Sequence, residues 1–248
     1  MAVLLLALAF AVTAALYASV GFAGGSTYNA LLALAGVDHR VFPVVALVCN
    51  LIVASGGSWR FARAGLVPWR RLWPLLVLSA PAAWLGGALP VSKQLFLWLL
   101  GSGLLIASLL LLVQPERERE PRMSDAIAPV VAAPIGLLSG IVGIGGGIFL
   151  VPVLHLTGWD RAKRVAAAAS LFILANSVAG LAGQLSKLTP AMADQAFGYW
   201  PLALAVLAGG QVGSRIGVQL LPPAWLRRVT GLLILYVAAR LLIQAGSA

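Results

Sequence analysis

Charged residues are scarce in this 248-residue chain: Asp, Glu, Lys and Arg make up 10% of it, and apolar residues make up 61%. Soluble globular domains carry about 25% charged residues. The runs 1–20, 95–113 and 127–142 contain no charged residue at all, and about 20 mostly apolar residues span a bilayer. The composition therefore excludes a soluble domain and predicts an all-α, polytopic membrane protein.

Cysteine and acidic residues are also rare, which limits the chemistry available. The single cysteine, Cys49, excludes an intramolecular disulfide framework or a cysteine-rich metal site. Cation pumps commonly hold Asp or Glu within the membrane, whereas every acidic residue here lies in a connector or at a segment end. These residues are Asp38, Glu116, Glu118, Glu120, Asp125, Asp160 and Asp194. We therefore expect no metal site, no cofactor and no enzymatic acid/base pair.

Glycine is concentrated in two short stretches that interrupt the apolar segments. Four glycines occupy 143–147, and Gly21–Ser26 takes the matching place 122 residues earlier. Backbone that leaves a helix at membrane depth must be satisfied by protein or water, so such a break usually lines a cavity. A pair of interrupted helices in corresponding halves is the best sequence pointer to the substrate site of a transporter.

The apolar segments divide the chain into two similar halves. The first transmembrane repeat is 1–113, a charged connector is 114–124, and the second repeat is 125–248. Each half has four long segments and one short segment that directly follows the glycine break. A short segment of about 12 residues covers roughly half of a 30 Å hydrocarbon core. The segments are predicted at 2–20, 26–37, 41–58, 72–90, 94–113, 126–142, 147–158, 165–184, 197–218 and 226–245.

The basic residues predict the orientation of the two halves. If each long–short pair is a hairpin, whether re-entrant or fully crossing, the second repeat is inverted relative to the first. Thirteen of the 17 basic residues then share one side, which is cytoplasmic by the positive-inside rule. A parallel arrangement would divide them 9 to 8. We therefore predict inverted repeats, a cytoplasmic connector and external termini, and we need no nucleic-acid partner to explain the net charge of +10. The thirteen are Arg60, Arg63, Arg70, Arg71, Arg117, Arg119, Arg122, Arg161, Lys163, Arg164, Arg215, Arg227 and Arg228.

The two glycine breaks suit an anionic ligand. Each leaves the first N–H groups of the following helix without partners, and the helix dipole adds positive potential there. The alternative is that the glycines only allow tight helix packing; their duplication favours the site. The candidate binding residues at the breaks are Gly24, Gly25, Ser26, Thr27, Gly145, Gly146 and Gly147.

Three residues outside the breaks complete the candidates. Asn50 and Ser170 lie at similar depths in matching segments, where their amide and hydroxyl groups could donate to the ligand. Interhelical hydrogen bonding is the competing explanation for both. His155 is the candidate for proton coupling, although its place near the end of its short segment favours an interfacial histidine.

The motif from Gly136 through Gly143–Gly147 to Pro152, followed by Ala166–Ser170, resembles the sulfite exporter TauE/SafE family. Gly21–Ser26, Phe61–Trp69 and Gly213–Gly217 extend the resemblance over most of both halves. It implies transport of sulfite, an organosulfonate or thiosulfate across the bacterial inner membrane. Ala23 stands where the second half has Gly145, so we expect the two halves to contribute unequally, with more side-chain donors from the first.

These observations together predict a secondary transporter. It binds a small sulfur-containing anion near the midplane, between two glycine-broken hairpins, and exposes it by alternating access. A passive anion channel is the main alternative and would show conductance far above carrier turnover. A membrane-embedded lipid-processing enzyme is a weaker one, because it would need a nucleophile with an activating base.

Overall fold

A computed structural model describes residues 2–19, 22–113, 127–216 and 223–246. Within these ranges the chain is entirely helical and contains no strand, as its apolar segments predict. The bounds are α1 Ala2–Ser19, α2 Gly25–Leu34, α3 Phe42–Arg63, α4 Trp69–Ala88, α5 Lys93–Val113, α6 Ile127–Val142, α7 Gly147–Leu156, α8 Ala162–Leu185, α9 Pro190–Phe197, α10 Trp200–Ile216 and α11 Pro223–Gly246.

The helices have the composition of a multi-pass membrane protein. Phe42–Arg63, Lys93–Leu110 and Ala162–Leu185 are long and apolar enough to cross a membrane by themselves. Other apolar helices of 10–17 residues are shorter than a full span, and these include Gly147–Leu156, the helix that follows the second glycine break. The prediction of eight full spans is therefore not tested by helix length alone.

The two short helices begin and end in the same way. Gly24 and Gly146 precede them with φ values of 87° and 79°, a left-handed conformation that favours glycine. Each helix is 10 residues long and is closed by a second left-handed glycine, Gly36 at 69° and Gly158 at 59°. This repeated backbone, 122 residues apart, shows that the sequence similarity between the halves extends to local structure.

One helix was not predicted. The sequence predicts segments at 165–184 and 197–218 with none between them, but Pro190–Phe197 form α9. The Thr189 hydroxyl caps this helix by accepting a hydrogen bond from the Met192 N–H, and proline suits its first turn. A hydropathy window misses so short a helix because none of its residues is buried. Within the described ranges, the second half therefore has one more helix than the first.

Helix packing between the halves follows the repeat. The most extensive contacts are α4 with α6 and α1 with α10, and these two pairs are equivalent because α1 corresponds to α6 and α4 to α10. Two further contacts, α3 with α8 and α5 with α11, each join a helix to its own counterpart. Glycine permits these close approaches. A Cβ atom at Gly136 or Gly140 would collide with the backbone of α4, and one at Gly209 or Gly213 with that of α1. These four glycines therefore allow close packing between helices of the two halves.

Equivalent helices run in opposite directions where they meet. Ser58, in the second half of α3, contacts Ser170 in the first half of α8, whereas Leu47 near the beginning of α3 faces Gly180 in the second half of α8. In the same way Gly101 in α5 faces Leu242 in α11, and Leu112 faces Gly231. Helices α4 and α8 instead run parallel, because Arg71 lies beside Asp160 and Leu89 beside Lys187.

Some predicted features fall outside the part of the chain that the structure describes. They are Gly21, the connector 114–124 with Arg117, Arg119 and Arg122, Gly217, and the side chains of Arg215 and Arg227.

Candidate functional site

Both glycine breaks lie in the interior. Every residue from Ala23 to Ala30, and from Gly143 to Gly147, is buried. The first recorded backbone bond into α2 is donated by the Tyr28 N–H to the Gly24 carbonyl, and in α7 by the Phe149 N–H to the Gly146 carbonyl. No side chain caps either helix. The N–H groups of Gly25, Ser26 and Thr27, and of Gly147 and Ile148, are thus without a partner among the described residues.

Three side-chain amides satisfy the carbonyl groups that the second break frees. Asn29 donates to the Val142 carbonyl at 2.6 Å, and Asn50 donates to the Ile144 carbonyl at 3.1 Å. Gln184 donates to the Gly140 carbonyl at 2.8 Å. An unpaired buried carbonyl costs about 1–3 kcal/mol, so these amides hold the broken backbone in place. Asn29 and Asn50 come from the first half and the carbonyls from the second.

Asn50 lies where the two breaks meet. A Cβ atom at Gly25 would fall 2.8 Å from the Asn50 Oδ1 atom and 2.5 Å from the Ile144 carbonyl oxygen. A Cβ atom at Gly145 would fall 2.9 Å from the Asn50 Nδ2 atom and 3.1 Å from the Ser177 Oγ atom. The Asn50 Nδ2 atom is the atom nearest to both of these Cβ positions, so glycine at 25 and 145 allows the Asn50 amide to pack directly against the two breaks. One amide therefore stands beside the N-terminus of α2 and beside the loop that enters α7.

Several buried polar atoms near the breaks have no hydrogen-bond partner among the described residues. They include the Oδ1 atoms of Asn29 and Asn50, the Ser177 hydroxyl and the Tyr28 hydroxyl. Asn176, the neighbour of Ser177, has neither of its amide atoms paired. Native interiors leave few such groups unpaired, and each calls for an explanation. A polar ligand held between the breaks would supply partners for those nearest to Asn50.

The side chains around the breaks carry no formal positive charge. Every Arg and Lys whose side chain the structure describes is exposed or half-buried. Positive potential at the breaks therefore comes from the free N–H groups and the dipoles of α2 and α7. Such partial charges suit a single negative charge better than two, because burying charge without a counter-charge is costly.

The remaining predicted residues have varied surroundings. Ser26 is buried in the first turn of α2, and the Thr27 hydroxyl lies 3.0 Å from the Tyr17 hydroxyl. The Ser170 hydroxyl lies 3.1 Å from the Ser58 hydroxyl, so it links α8 to α3. His155 is half-buried in the last turn of α7. The structure brings Gly24, Gly25, Asn50 and Gly145–Gly147 together, whereas Ser170 and His155 lie further along their helices.

Asn29, Ser177 and Gln184 are not among the residues predicted from the sequence. A signal was present, because three polar residues of α8 (Ser170, Ser177 and Gln184) recur every seven residues and so share one face. The partners of this face could not be predicted, because they lie in distant segments.

Ionic contacts occur at the ends of the helices. At one end Arg71 donates to the Trp159 carbonyl, covers the Trp159 ring at 4.6 Å and lies 3.5 Å from Asp160. At the other end Lys187 donates to the Leu89 carbonyl at 2.7 Å, and burial lowers its pKa. In the loop before α3, the hydrogen bond from Arg40 lowers the pKa of Asp38 to about 2. Arg71 and Lys187 thus mark opposite ends of α4 and α8.

Comparison with known proteins shows the family to which the chain belongs. The profile of the family described as "Sulfite exporter TauE/SafE" matches residues 5–241. The chain belongs to the sulfite exporter TauE/SafE family. It is also 34% identical over 245 residues to the "Probable membrane transporter protein y4hK" of Sinorhizobium fredii (strain NBRC 101917 / NGR234), covering 96% of this chain and 97% of that protein. No solved structure matches the chain. The protein is a multi-pass membrane transporter.

Proposed function

We propose that this member of the TauE/SafE family is a secondary transporter of a small sulfur-containing anion, of the sulfite, organosulfonate or thiosulfate class. The observation that carries the proposal is the meeting of both glycine breaks at Asn50. The N-terminus of α2 and the loop that enters α7 meet there, beside side-chain atoms without a hydrogen-bond partner among the described residues. Helix N-termini bind sulfate- and phosphate-like groups through their free N–H groups. The family description supports a sulfur anion.

The proposed mechanism is alternating access between two inverted repeats. The opposite directions of α3 and α8, and of α5 and α11, support inversion, because a parallel repeat would align these equivalent helices. Moving one repeat against the other would expose Asn50 to each side in turn. The anion crosses without chemical conversion. His155 remains the candidate for proton coupling.

The proposed location is the bacterial inner membrane, with the connector in the cytoplasm. Cys49 is the only cysteine and is buried, so single cysteines can be introduced into a Cys49→Ala background. Ser186 and Ala64 are exposed at the ends of α8 and α3. We expect a membrane-impermeant maleimide to label Ser186→Cys in intact cells, and Ala64→Cys only after permeabilisation. The reverse pattern would contradict the orientation.

The substrate class is tested by thermal stabilisation of the purified protein with sulfite, thiosulfate, taurine, sulfoacetate, sulfate and phosphate. A ligand that binds only the folded state stabilises it by about 2.7 kcal/mol at 100 times its Kd. We expect at least one of the first four to raise the unfolding midpoint. The anion proposal fails if none does so while a cation or a sugar does.

Reconstitution separates transport from the two alternatives. Saturable uptake of the stabilising anion into vesicles, with no measurable current at the single-molecule level, is the expected result. Conductance far above carrier turnover would favour a passive channel. Turnover of a lipid by the purified protein would favour a membrane-embedded enzyme. All three measurements are made on one reconstituted preparation, so a positive result in any of them shows that the protein in that preparation is active.

A further inference from the structure

The amide of Asn50 has a fixed orientation. Its Nδ2 atom donates to the Ile144 carbonyl at 3.1 Å. The opposite orientation would place two acceptor oxygens against each other, so the Oδ1 atom must point away from Ile144. That atom is an acceptor and cannot serve an anion's oxygen directly. It has no hydrogen-bond partner among the described residues, and the side chain is fully buried.

The Asn50 amide packs against the N-terminus of α2. Both its Nδ2 and its Oδ1 atoms lie within 3 Å of the position of a Cβ atom at Gly25, and Nδ2 is the nearer of the two. The neighbouring N–H groups of Gly25, Ser26 and Thr27 are donors without partners among the described residues. An unpaired acceptor therefore lies beside a set of unpaired donors. A ligand that pairs all of them needs anionic oxygens for the N–H groups and a hydrogen-bond donor for Oδ1.

On the basis of the proposed function, we propose that the transported sulfur anion is a monoanionic sulfonate or sulfite group that carries its own O–H or N–H donor, and that Asn50 Oδ1 accepts from that donor. The absence of a basic side chain among the described residues at the breaks agrees with a single negative charge. Hydrogensulfite and 2-hydroxyethanesulfonate have this chemistry. Sulfate and fully deprotonated sulfite do not.

Three sulfonates that differ at one terminal group test the donor requirement. They are 2-hydroxyethanesulfonate, taurine and propane-1-sulfonate, which place a hydroxyl, an ammonium or a methyl group at the same position. A site built to pair a donor rejects a ligand that lacks it, because its own buried polar atom stays unpaired. That penalty corresponds to about 5- to 150-fold in affinity. We therefore expect propane-1-sulfonate to bind the full-length protein at least about fivefold more weakly than one of the other two.

The tighter-binding ligand of 2-hydroxyethanesulfonate and taurine shows whether the preferred donor is an O–H or an N–H group. A variant provides the second measurement. In Asn50→Ala the ratio of donor-bearing to methyl ligand should fall to about one, whereas Ser55→Ala, an exposed position on the same helix, should keep it. A purely structural role for Asn50 would weaken all three ligands alike and leave their ratio unchanged.

The outcomes separate this inference from the proposed function. Equal binding of propane-1-sulfonate and the donor-bearing ligands, or tighter binding of sulfate, would overturn the donor requirement while leaving a sulfur-anion transporter in place. If none of the sulfonates, sulfite or thiosulfate binds, the proposed function fails and the inference fails with it. Because the three-ligand comparison uses the unaltered protein, it remains decisive even if Asn50→Ala does not fold.

Discussion

Replacing Asn50 by leucine is expected to abolish transport of the sulfur anion while the protein still inserts into the membrane. Leucine has a similar size but can neither donate to the Ile144 carbonyl nor accept from a ligand. Leaving a buried partner unpaired costs about 1–3 kcal/mol, so affinity should fall about 5- to 150-fold. The loop that enters α7 should also lose its position, which lowers the transport rate further. Uptake into vesicles, normalised to inserted protein, measures the effect.

Ser55→Ala is the matched control for this variant. Ser55 lies five residues further along α3, is exposed, and its hydroxyl donates only to the Ile52 carbonyl of its own helix. Its replacement should leave uptake within about twofold of the parent, since exposed substitutions rarely change stability by more than about 0.5 kcal/mol. If Asn50→Leu transports as well as Ser55→Ala, the two breaks are packing elements and the site lies elsewhere.

Replacing Gly146 by alanine should strongly destabilise the protein and eliminate ligand binding. Gly146 has a φ of 79°, and a Cβ atom there would fall 2.8 Å from the Phe172 ring. The left-handed conformation costs an L-residue about 1–2 kcal/mol, and overpacking adds about 1–3 kcal/mol. Relief of either strain would rotate the first turn of α7 and redirect its free N–H groups. Thermal unfolding in detergent and ligand binding measure the two consequences.

Two other glycines separate these contributions. Gly36 has a φ of 69° with nothing within 4 Å of an added Cβ atom, so Gly36→Ala introduces backbone strain alone. Gly56 in α3 has open space and no positive φ, so Gly56→Ala should be neutral or stabilising. We expect the unfolding midpoints to fall in the order Gly56→Ala, Gly36→Ala, Gly146→Ala. A Gly146→Ala midpoint equal to that of Gly36→Ala would show that the α7 N-terminus is not tightly packed.

Much of the fold follows from local sequence. Both short helices were placed correctly, at 26–37 and 147–158 against the observed Gly25–Leu34 and Gly147–Leu156. Glycine is the reason, because its left-handed conformation at Gly24 and Gly146 is a local property of the chain. Hydropathy located the long helices in the same way. The family resemblance is confirmed by the match over residues 5–241.

The site was less accessible from sequence because it depends on contacts between distant residues. Asn29 meets Val142 across 113 residues, and Asn50 meets Ile144 across 94. No periodicity reports which helix faces will pack together. Ser170 illustrates this: its depth agreed with a site role, but its recorded partner is Ser58 on α3. Its role in binding stays a prediction, as does that of His155.

The expected inequality of the two halves has a structural counterpart at Asn50. Phe172 occupies the position 122 residues later, and its ring lies beside Gly146. The first half thus places an amide at the breaks where the second half places an apolar ring. A single amide serving both breaks would give a single ligand one orientation. Transport by two inverted repeats does not require two equal binding surfaces, only a ligand held between them.

The position of the bound anion tests the central claim most directly. Long-wavelength diffraction from crystals grown with the sulfonate that stabilises the protein best would locate its sulfur atom, with one cysteine and three methionines as internal markers. The account predicts an additional sulfur peak between the N-termini of α2 and α7, with the ligand's polar atoms about 3 Å from the Asn50 amide and the free N–H groups. A peak found only beside exposed arginines such as Arg161 would contradict it.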